Sequence, residues 1–260
     1  MIPQTIQELI ERGAMFFANH SGGKDSQAMF DFLCEHVPAA QIHVVHADLP
    51  DVEWEGVQTH IRATIGRAPL SVCRNENKTL LQMIERRGKF PSPEQRQCTS
   101  DLKRGPIERT IRGIVKARRA AGERGAEIVV NCMGMRAEES PGRSKLQTFK
   151  LNKGNSVAGR EWYDWLPIHD WKVADVFARI AAAGQQPHWA YAAGMTRLSC
   201  CFCIMASKAD LTTAARLNPT LYRRYVELER STGQVMLMPS KRHGRLSLEQ
   251  VTGIAVEAVA

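Results

Sequence analysis

The segment His20–Ser26, with the sequence HSGGKDS, follows the apolar run Ala14–Ala18 with one residue between them. The run has the length and composition of a buried β-strand, and apolar residues after the segment recur at helical spacing. Two adjacent glycines, Gly22 and Gly23, let the backbone of such a strand-to-helix turn approach a ligand closely. Because a helix N-terminus attracts anions, this turn is predicted to bind phosphate, although it lacks the Walker pattern G-x-x-x-x-G-K-[ST].

Further apolar runs predict strands, and they alternate with segments of helical periodicity. The predicted strands are 42–47, 69–73, 127–133 and 162–168. The predicted helices are 53–65, 79–87, 101–121 and 172–183. This alternation predicts an α/β fold, with an open, mostly parallel sheet and helices on both faces. Ligands of such sheets bind at the carboxyl ends of the strands.

The last third of the chain has a different character. A cluster of three cysteines comes first, and two predicted helices, 208–217 and 219–231, follow. We therefore predict a nucleotide-binding domain over residues 1–184 and a small helical, cysteine-containing subdomain over residues 185–260. We further expect residues 148–160 to form a mobile basic loop.

The composition limits the classes of partner and the cellular compartment. The formal net charge of +8 favours a polyanionic partner or an anionic substrate. The sequence has neither an apolar run of membrane-spanning length nor the pattern of a secretory signal peptide, so we expect a cytoplasmic protein without a membrane partner. In that compartment the seven cysteines are expected to be reduced, metal-bound or catalytic rather than disulfide-bonded.

A second constellation lies in residues 134–143, GMRAEESPGR, directly after the predicted strand 127–133. Two arginines of this segment, Arg136 and Arg143, can clamp phosphate or sulfate oxygens in bidentate fashion. A surface loop that contains a Glu–Arg pair is the alternative interpretation.

The cysteines form a third constellation. Cys200 and Cys203 have the spacing of metal ligands, and Cys98 makes a site of three or four thiolates conceivable. A zinc site normally combines two separated C-x-x-C pairs, which this chain lacks, and plain reactive thiols are a further alternative. Cys34 is expected in the core.

The first motif, S-G-G-x-D-S, resembles the pyrophosphate loop of the N-type ATP pyrophosphatases, which split ATP between the α and β phosphates. Residues 134–143 resemble the G-x-R-x-x-E-S-x-x-R element of the phosphoadenosine phosphosulfate reductase family. Residues 98–106 resemble its C-x-x-x-L-K-x-x-P element, and residues 167–171 its P-[LI]-x-D-W strand end. The resemblance covers roughly two thirds of the chain and implies an adenine nucleotide alpha hydrolase-like fold.

The resemblance also implies roles for individual residues. The nucleotide-binding residues that it implies are Ser21, Gly22, Gly23, Lys24, Asp25, Ser26, Asp48, Gly134 and Arg136. The catalytic residues that it implies are Lys24, Asp25, Lys103, Arg136 and Arg143. The cofactors are ATP and Mg²⁺, with Asp25 or Asp170 as the carboxylate that helps to place the metal.

Several relatives hold a [4Fe–4S] cluster with cysteines placed in this way. The ligands implied here are Cys98, Cys200 and Cys203, with Cys201 as the fourth candidate. Because adjacent cysteines do not easily bind one metal centre, three ligands and an open iron form a second arrangement, and Zn²⁺ remains the alternative metal.

Three functions compete at this stage. A phosphoadenosine or adenosine phosphosulfate reductase needs a mobile nucleophilic cysteine, which its family carries in a C-terminal E-C-G-x-H segment, and no cysteine follows Cys203. A nucleotide-sensing subunit without activity is disfavoured by the intact loop. ATP-dependent sulfur transfer to nucleic acid agrees with the loop, the cysteines and the charge.

Within this last class the chain looks like the ATP pyrophosphatase component of bacterial DNA phosphorothioation systems. Transfer RNA thiolation enzymes share the loop and are the alternative. The expected partners are therefore nucleic acid, DNA more than tRNA, and a cysteine desulfurase or other proteins of the modification system.

Overall fold

Six β-strands form one sheet in the part of the chain that the computed structural model describes, residues 2–239 and 244–257. The strands are β1 (Met15–Asn19), β2 (Ile42–Ala47), β3 (Leu70–Cys73), β4 (Ile128–Met133), β5 (Phe149–Leu151) and β6 (Glu161–Trp165). Their order across the sheet is β3-β2-β1-β4-β6-β5. Strand β1 runs parallel to β2 and β4, β4 runs parallel to β6, and the edge strand β5 is antiparallel to β6.

Helices connect and follow these strands. They are α1 (Gln4–Glu11), α2 (Lys24–His36), α3 (Val57–Thr64), α4 (Leu80–Arg87), α5 (Gln97–Thr99), α6 (Gly105–Ala120), α7 (Pro141–Ser144), α8 (Val173–Ala182), α9 (Lys208–Leu217), α10 (Pro219–Thr232) and α11 (Leu248–Thr252). None of these helices has the length and apolar character that a membrane crossing requires.

Alternate side chains of β1 point to opposite faces of the sheet, and helices cover both faces. On one face, Phe17 belongs to a core cluster that contains Ile111 of α6. On the other face, the ring of Phe16 lies 6.0 Å from that of Trp165, which lies 6.3 Å from Phe32 of α2. Phe16 and Phe17 are completely buried, and burial of each contributes about 1.5–3 kcal/mol to the stability of the fold. The predicted α/β fold is confirmed.

Contacts within the chain define two compact units. The first contains the sheet and comprises Met1–His46, Gly56–Cys73 and Ile107–His188. The second comprises Ala47–Glu55, Arg74–Pro106 and Trp189–Ala260. The C-terminal cysteine-containing segment therefore shares its unit with two segments from earlier in the chain, which a linear division of the sequence does not anticipate.

The segment 148–160, expected to be a mobile basic loop, contains paired β structure as well as turns. Strand β5 lies there and pairs with β6, and a further bridge joins Val157 to Arg160. The ring of Phe149 stacks on that of Tyr163 at 5.2 Å. The segment has the polar composition of a loop because most side chains of this edge hairpin are exposed to solvent.

Two local expectations also change. The predicted helix 101–121 begins as a π-helical turn, Ser100–Arg104, before α6. Cys34 is exposed rather than in the core, because its neighbours Phe30 and Leu33, not Cys34, lie on the buried face of α2.

Candidate functional site

The two loops that the sequence singles out leave the sheet at neighbouring strands. Strand β1 pairs with β2 on one side and with β4 on the other, so the chain reverses its direction of travel across the sheet between β1 and β4. Such a switch point opens a crevice at the carboxyl ends of the strands, where α/β sheets bind their ligands. Residues 20–26 follow β1, and residues 134–143 follow β4.

Gly22 bends the backbone of the first loop. Its φ of +75° lies in the left-handed region that favours glycine. Its N–H donates to Nδ1 of His20 at 3.1 Å. Burial, together with the charges of His46 and His60, lowers the pKa of His20 to about 3, so this ring is neutral at pH 7 and accepts the bond from Gly22.

The two serines of the loop close it on itself. The N–H of Ser21 donates to Oγ of Ser26 at 3.1 Å, and this hydroxyl donates to the carbonyl of Gly23 at 2.8 Å. Helix α2 begins at Lys24, directly after Gly23. The first backbone N–H groups of a helix have no acceptor within it, so the start of α2 offers donors to an anion.

Asp25 lies between two buried cations. Its Oδ2 accepts from Nζ of Lys24 at 2.9 Å, and its Oδ1 accepts from Nε of Arg136 at 2.6 Å. Nη1 of Arg136 also donates to Glu138 at 2.6 Å and to the carbonyl of Trp171 at 3.2 Å. Lys24 and Arg136 are each 4% exposed, so their charges act in a region with little water.

The carboxylates around Arg136 keep it ionised. Burial alone would lower the pKa of Arg136, but its hydrogen bonds to Asp25 and Glu138 and the charges of Asp25 and Glu139 raise it overall. The hydrogen bond from Arg136 in turn lowers the pKa of Glu138. Arg136 is thus charged and held in place before any anion arrives, which is the preorganisation that transition-state stabilisation requires.

Gly134 brings the two loops into backbone contact. A Cβ atom at this position would lie 2.9 Å from the carbonyl oxygen of Asp25, closer than real Cβ contacts. The close approach of the loops therefore requires glycine here.

Arg143 completes the second loop. It lies on the short helix α7 and pairs with Glu139, whose Oε2 also accepts the backbone N–H of Arg136 at 2.9 Å. Nε2 of His169 lies 3.0 Å from the carbonyl oxygen of Arg143, and its Nδ1 lies 3.1 Å from Oδ1 of Asp170. The structure thus brings Arg136 and Arg143 into one hydrogen-bonded element, while the Asp170 side chain is 90% exposed.

Two of the residues predicted to bind the nucleotide or to act in catalysis lie in the second unit. Asp48 is half-buried in the segment Ala47–Glu55. Lys103 is half-buried in the π-helical turn, close to the cysteines. Their nucleotide-binding and catalytic roles stay predictions.

The cysteine centre lies wholly within the second unit. Cys98, Cys200 and Cys203 line one open pocket, whose other walls include Phe202 and Tyr225. Cys201, the fourth candidate, is buried outside this lining, and its backbone N–H donates to the carbonyl of Val52 at 2.9 Å. The geometry therefore favours three cysteine ligands over four.

Lys103 is the cation beside these thiols. The charge of Cys200 raises the pKa of Lys103 against the effect of burial, and Cys203 and Cys98 act in the same direction. Burial raises the pKa of Cys200 to about 11, and Lys103 opposes that shift. Three thiols that line one pocket, a compensating cation and apolar walls fit a thiolate-held metal group, because metal binding removes the thiol protons that burial retains.

Tyr225 is a feature of this centre that sequence reasoning missed. Tyr225 lines the pocket, and its hydroxyl is buried without a hydrogen-bond partner among the described residues. In the sequence, a tyrosine on an amphipathic helix gives no signal that distinguishes it from an ordinary core residue.

A mostly parallel sheet with a glycine-rich anion loop and an arginine-bearing loop at its switch point defines a nucleotide-binding α/β protein. The family model for the phosphoadenosine phosphosulfate reductase domain matches residues 16–206, and the chain belongs to that family. The resemblance that the motifs indicated is confirmed.

Two curated proteins are similar to this chain. An uncharacterized 37.8 kDa protein of Escherichia phage 186 is 27% identical over 194 residues, which cover 72% of this chain and 55% of the phage protein. An uncharacterized protein of Methanocaldococcus jannaschii is 24% identical over 216 residues, which cover 82% of this chain and 47% of that protein. The chain spans about half the length of the curated relatives it matches.

Solved structures with a similar fold include two nucleotide enzymes. Phosphoadenylyl-sulfate reductase from Candida auris gives a TM-score of 0.46 at 13% identity, over 77% of this chain and 96% of that one. FMN adenylyltransferase from Candida glabrata, solved with FAD and pyrophosphate, gives a TM-score of 0.43 at 16% identity. The match covers 75% of this chain and 64% of that one.

Family membership supports nucleotide-using, sulfur-related chemistry and an enzyme that acts on nucleotides. The nature of the nucleotide, the acceptor and the bound metal are matters for proposal.

Proposed function

We propose that the protein is an ATP pyrophosphatase that converts ATP to AMP and pyrophosphate, and so activates an acceptor for sulfur transfer in DNA phosphorothioate modification. The observation that carries this proposal is the ion pair of Asp25 with Arg136, which fixes two buried cations beside the glycine-rich loop at the switch point. A site of this kind is suited to a leaving group with several negative charges.

The chemistry divides into two displacements. An acceptor oxygen attacks the α-phosphorus of ATP, the bond to the bridging oxygen breaks, and pyrophosphate leaves with the electron pair. The loop amides and the N-terminus of α2 bind this pyrophosphate, and Lys24 and Arg136 offset its charge. A sulfur nucleophile then displaces AMP from the adenylated acceptor.

Magnesium belongs to this proposal as a partner of the phosphates. Mg²⁺ keeps several waters and binds through substrate phosphates and one or two carboxylates. Asp25 already accepts from Lys24 and Arg136, whereas Asp170 is exposed in the segment that follows β6. Both carboxylates remain candidates, and the phosphates supply the other ligands.

The cysteine centre belongs to the sulfur half of the reaction. Cys98, Cys200 and Cys203 would hold a [4Fe–4S] cluster, with zinc as the alternative metal. When bound, such a cluster supplies an iron on which a sulfur ligand can exchange. A cysteine desulfurase is the class of partner that delivers the sulfur, in the form of a persulfide. The outer sulfur of the persulfide attacks the adenylated acceptor and displaces AMP, and a second thiol then cleaves the S–S bond, which leaves sulfide-level sulfur on the acceptor and releases a disulfide.

A basic stripe on α6 supports a nucleic acid as the acceptor. Arg109, Arg112, Lys116 and Arg119 recur at spacings of three, four and three residues, so they share one face of the helix. All but Arg112 are exposed, and Arg112 is half-buried. Cations aligned in this way match the repeating phosphates of a nucleic-acid backbone.

The edge hairpin extends this stripe. Nη1 of Arg112 donates to Oδ1 of Asn155 at 2.9 Å, and a Cβ at Gly159 would lie 2.9 Å from Arg119. Burial lowers the pKa of Arg160, and repulsion by Arg112 and Arg119 lowers it further. Mutual repulsion among these arginines is relieved when a polyanion binds.

The products of ATP turnover test the proposal. The full chain is incubated with ATP and Mg²⁺, with DNA or tRNA added, and the nucleotides are separated. AMP and pyrophosphate, formed faster with DNA than with tRNA, are expected. ADP and phosphate would contradict the proposal, and sulfite released from phosphoadenosine phosphosulfate would favour a reductase instead.

A further inference from the structure

The hydroxyl of Tyr225 is out of place in a purely structural core. Tyr225 lies on α10 and is 1% exposed, yet its hydroxyl has no hydrogen-bond partner among the described residues. A buried hydroxyl without a partner destabilises a protein, so nearly all of them are paired. A partner that the polypeptide itself does not contain would account for this hydroxyl.

The surroundings of Tyr225 indicate what such a partner is. Tyr225 lines the same pocket as Cys98, Cys200 and Cys203. A tyrosine phenol carries one O–H group, so this hydroxyl can donate a hydrogen bond to an acceptor in the pocket.

We propose that Tyr225 is a positioning residue of the cysteine centre: its hydroxyl donates a hydrogen bond to a sulfur atom of the metal group that Cys98, Cys200 and Cys203 hold. This inference rests on the metal centre of the proposed function and not on its ATP chemistry. Sulfur bound to a metal carries negative charge, and a donor directed at it stabilises the more reduced state of a cluster. The same bond would also slow loss of the metal.

Tyr222, one turn earlier on the same helix, provides a matched control. It is also buried and packs against the same Phe202 ring, at 5.7 Å compared with 5.0 Å for Tyr225. Its hydroxyl, however, lies 2.7 Å from Oγ1 of Thr252 and donates to the carbonyl of Ile254 at 2.7 Å. The two tyrosines differ chiefly in whether the described residues provide a hydrogen-bond partner for the hydroxyl.

The experiment compares Tyr225→Phe with Tyr222→Phe in the full chain, first without metal and then after anaerobic loading with iron and sulfide. Without metal, Tyr225→Phe should leave the melting temperature unchanged or raise it, since it removes an unpaired hydroxyl. Tyr222→Phe should lower the melting temperature, since it removes bonds to Thr252 and Ile254.

After loading with metal, Tyr225→Phe should differ from the wild type, and Tyr222→Phe should not. In Tyr225→Phe the reduction potential of the cluster should shift to more negative values, and a chelator should remove iron several-fold faster. In Tyr222→Phe both quantities should equal those of the wild type. If the chain takes up zinc instead of iron, release of zinc to a chromogenic chelator replaces both readouts, with the same expected ranking.

Three results would overturn the inference. One is a potential and a release rate in Tyr225→Phe that match the wild type. A second is a melting temperature of metal-free Tyr225→Phe that falls as far as that of Tyr222→Phe, which would give the hydroxyl a partner within the protein. A chain that takes up neither metal also overturns it. Cleavage of ATP is assayed separately on the metal-free protein, so failure of the pyrophosphatase activity remains distinguishable.

Discussion

The carboxylate of Asp25 accepts a hydrogen bond from Nε of Arg136 at 2.6 Å, and this ion pair joins the loop after β1 to the loop after β4. The second oxygen of Asp25 holds Lys24. One carboxylate therefore fixes two cations at the switch point of the sheet, and the account of nucleotide binding depends on this arrangement.

Substitution of Asp25 by alanine should abolish release of pyrophosphate. It removes the carboxylate that accepts from Lys24, and it breaks the ion pair that joins the two loops, although Arg136 keeps its bonds to Glu138 and to the carbonyl of Trp171. We expect activity to fall at least about 100-fold and the free energy of unfolding to fall by roughly 1–3 kcal/mol. Steady-state pyrophosphate release and urea unfolding measure the two effects.

Ser21→Ala separates chemistry from stability at the same loop. Ser21 is exposed, so loss of its hydroxyl should leave the unfolding midpoint unchanged while pyrophosphate release is abolished. Full activity in both Ser21→Ala and Asp25→Ala would remove the basis for assigning this loop to the nucleotide.

Gly134→Ala tests the contact between the two loops. The added methyl group would meet the carbonyl oxygen of Asp25 at 2.9 Å and force the loops apart. We expect ATP affinity to fall about tenfold, and overpacking of this kind costs roughly 1–3 kcal/mol of stability. Gly142→Ala is the control, because a methyl group there meets nothing within 4 Å. Equal ATP affinity in the two variants, measured by calorimetry, would contradict the close approach.

Stability should fall on mild acidification because of His20. Its folded-state pKa of about 3 lies below the ordinary value of 6.5, so the unfolded chain binds a proton that the folded chain does not. The stabilisation is complete above pH 6.5 and is lost as the pH falls towards 3, at up to about 1.4 kcal/mol per pH unit. Urea unfolding at several pH values between 7 and 5 gives the free energy of unfolding as a function of pH. The slope of this free energy against pH should be smaller in His20→Gln than in the wild type. An unchanged slope would place His20 in a more polar site.

Removal of cations from the basic stripe should weaken binding to DNA to a similar extent whatever the DNA sequence. Each of Arg109→Gln and Arg119→Gln removes one exposed charge, and the slope of log affinity against log salt should fall by about one for each. Arg62→Gln, at an exposed position on α3, serves as the control. Fluorescence anisotropy at several salt concentrations measures the slopes, and equal slopes in all three variants would exclude the stripe as the DNA surface.

Serine variants of the cysteines distinguish three ligands from four. Cys203→Ser should lose the bound metal and any absorption near 400 nm, because Cys203 lines the pocket. Cys201→Ser should retain the metal, because Cys201 lies outside the lining. The metal content per chain after anaerobic preparation distinguishes three ligands from four. Loss of metal from Cys201→Ser would support the arrangement with four cysteine ligands.

Local patterns in the sequence predict most of the sheet and the phosphate loop. The strand, glycine turn and helix around residues 20–26 are contiguous, so short-range periodicity is enough to place them. The predicted strands at 42–47 and 127–133 contain β2 and β4 for the same reason.

Features that depend on distant residues could not be predicted in this way. The pairing of Asp25 with Arg136 and the close approach at Gly134 depend on how two separate loops meet. The unit that contains the cysteines is assembled from three segments of the chain. Strand β5 was missed because an exposed edge strand of three residues has the composition of a loop.

Exchange of labelled pyrophosphate into ATP tests the central claim most directly. The full chain is incubated with ATP, Mg²⁺, DNA and ³²P-labelled pyrophosphate, with Ser21→Ala as the parallel control. We predict label in ATP that requires DNA and is absent from the variant, because adenylation of an acceptor at the loop is reversible. Release of ADP and phosphate with no label in ATP would contradict cleavage between the α and β phosphates.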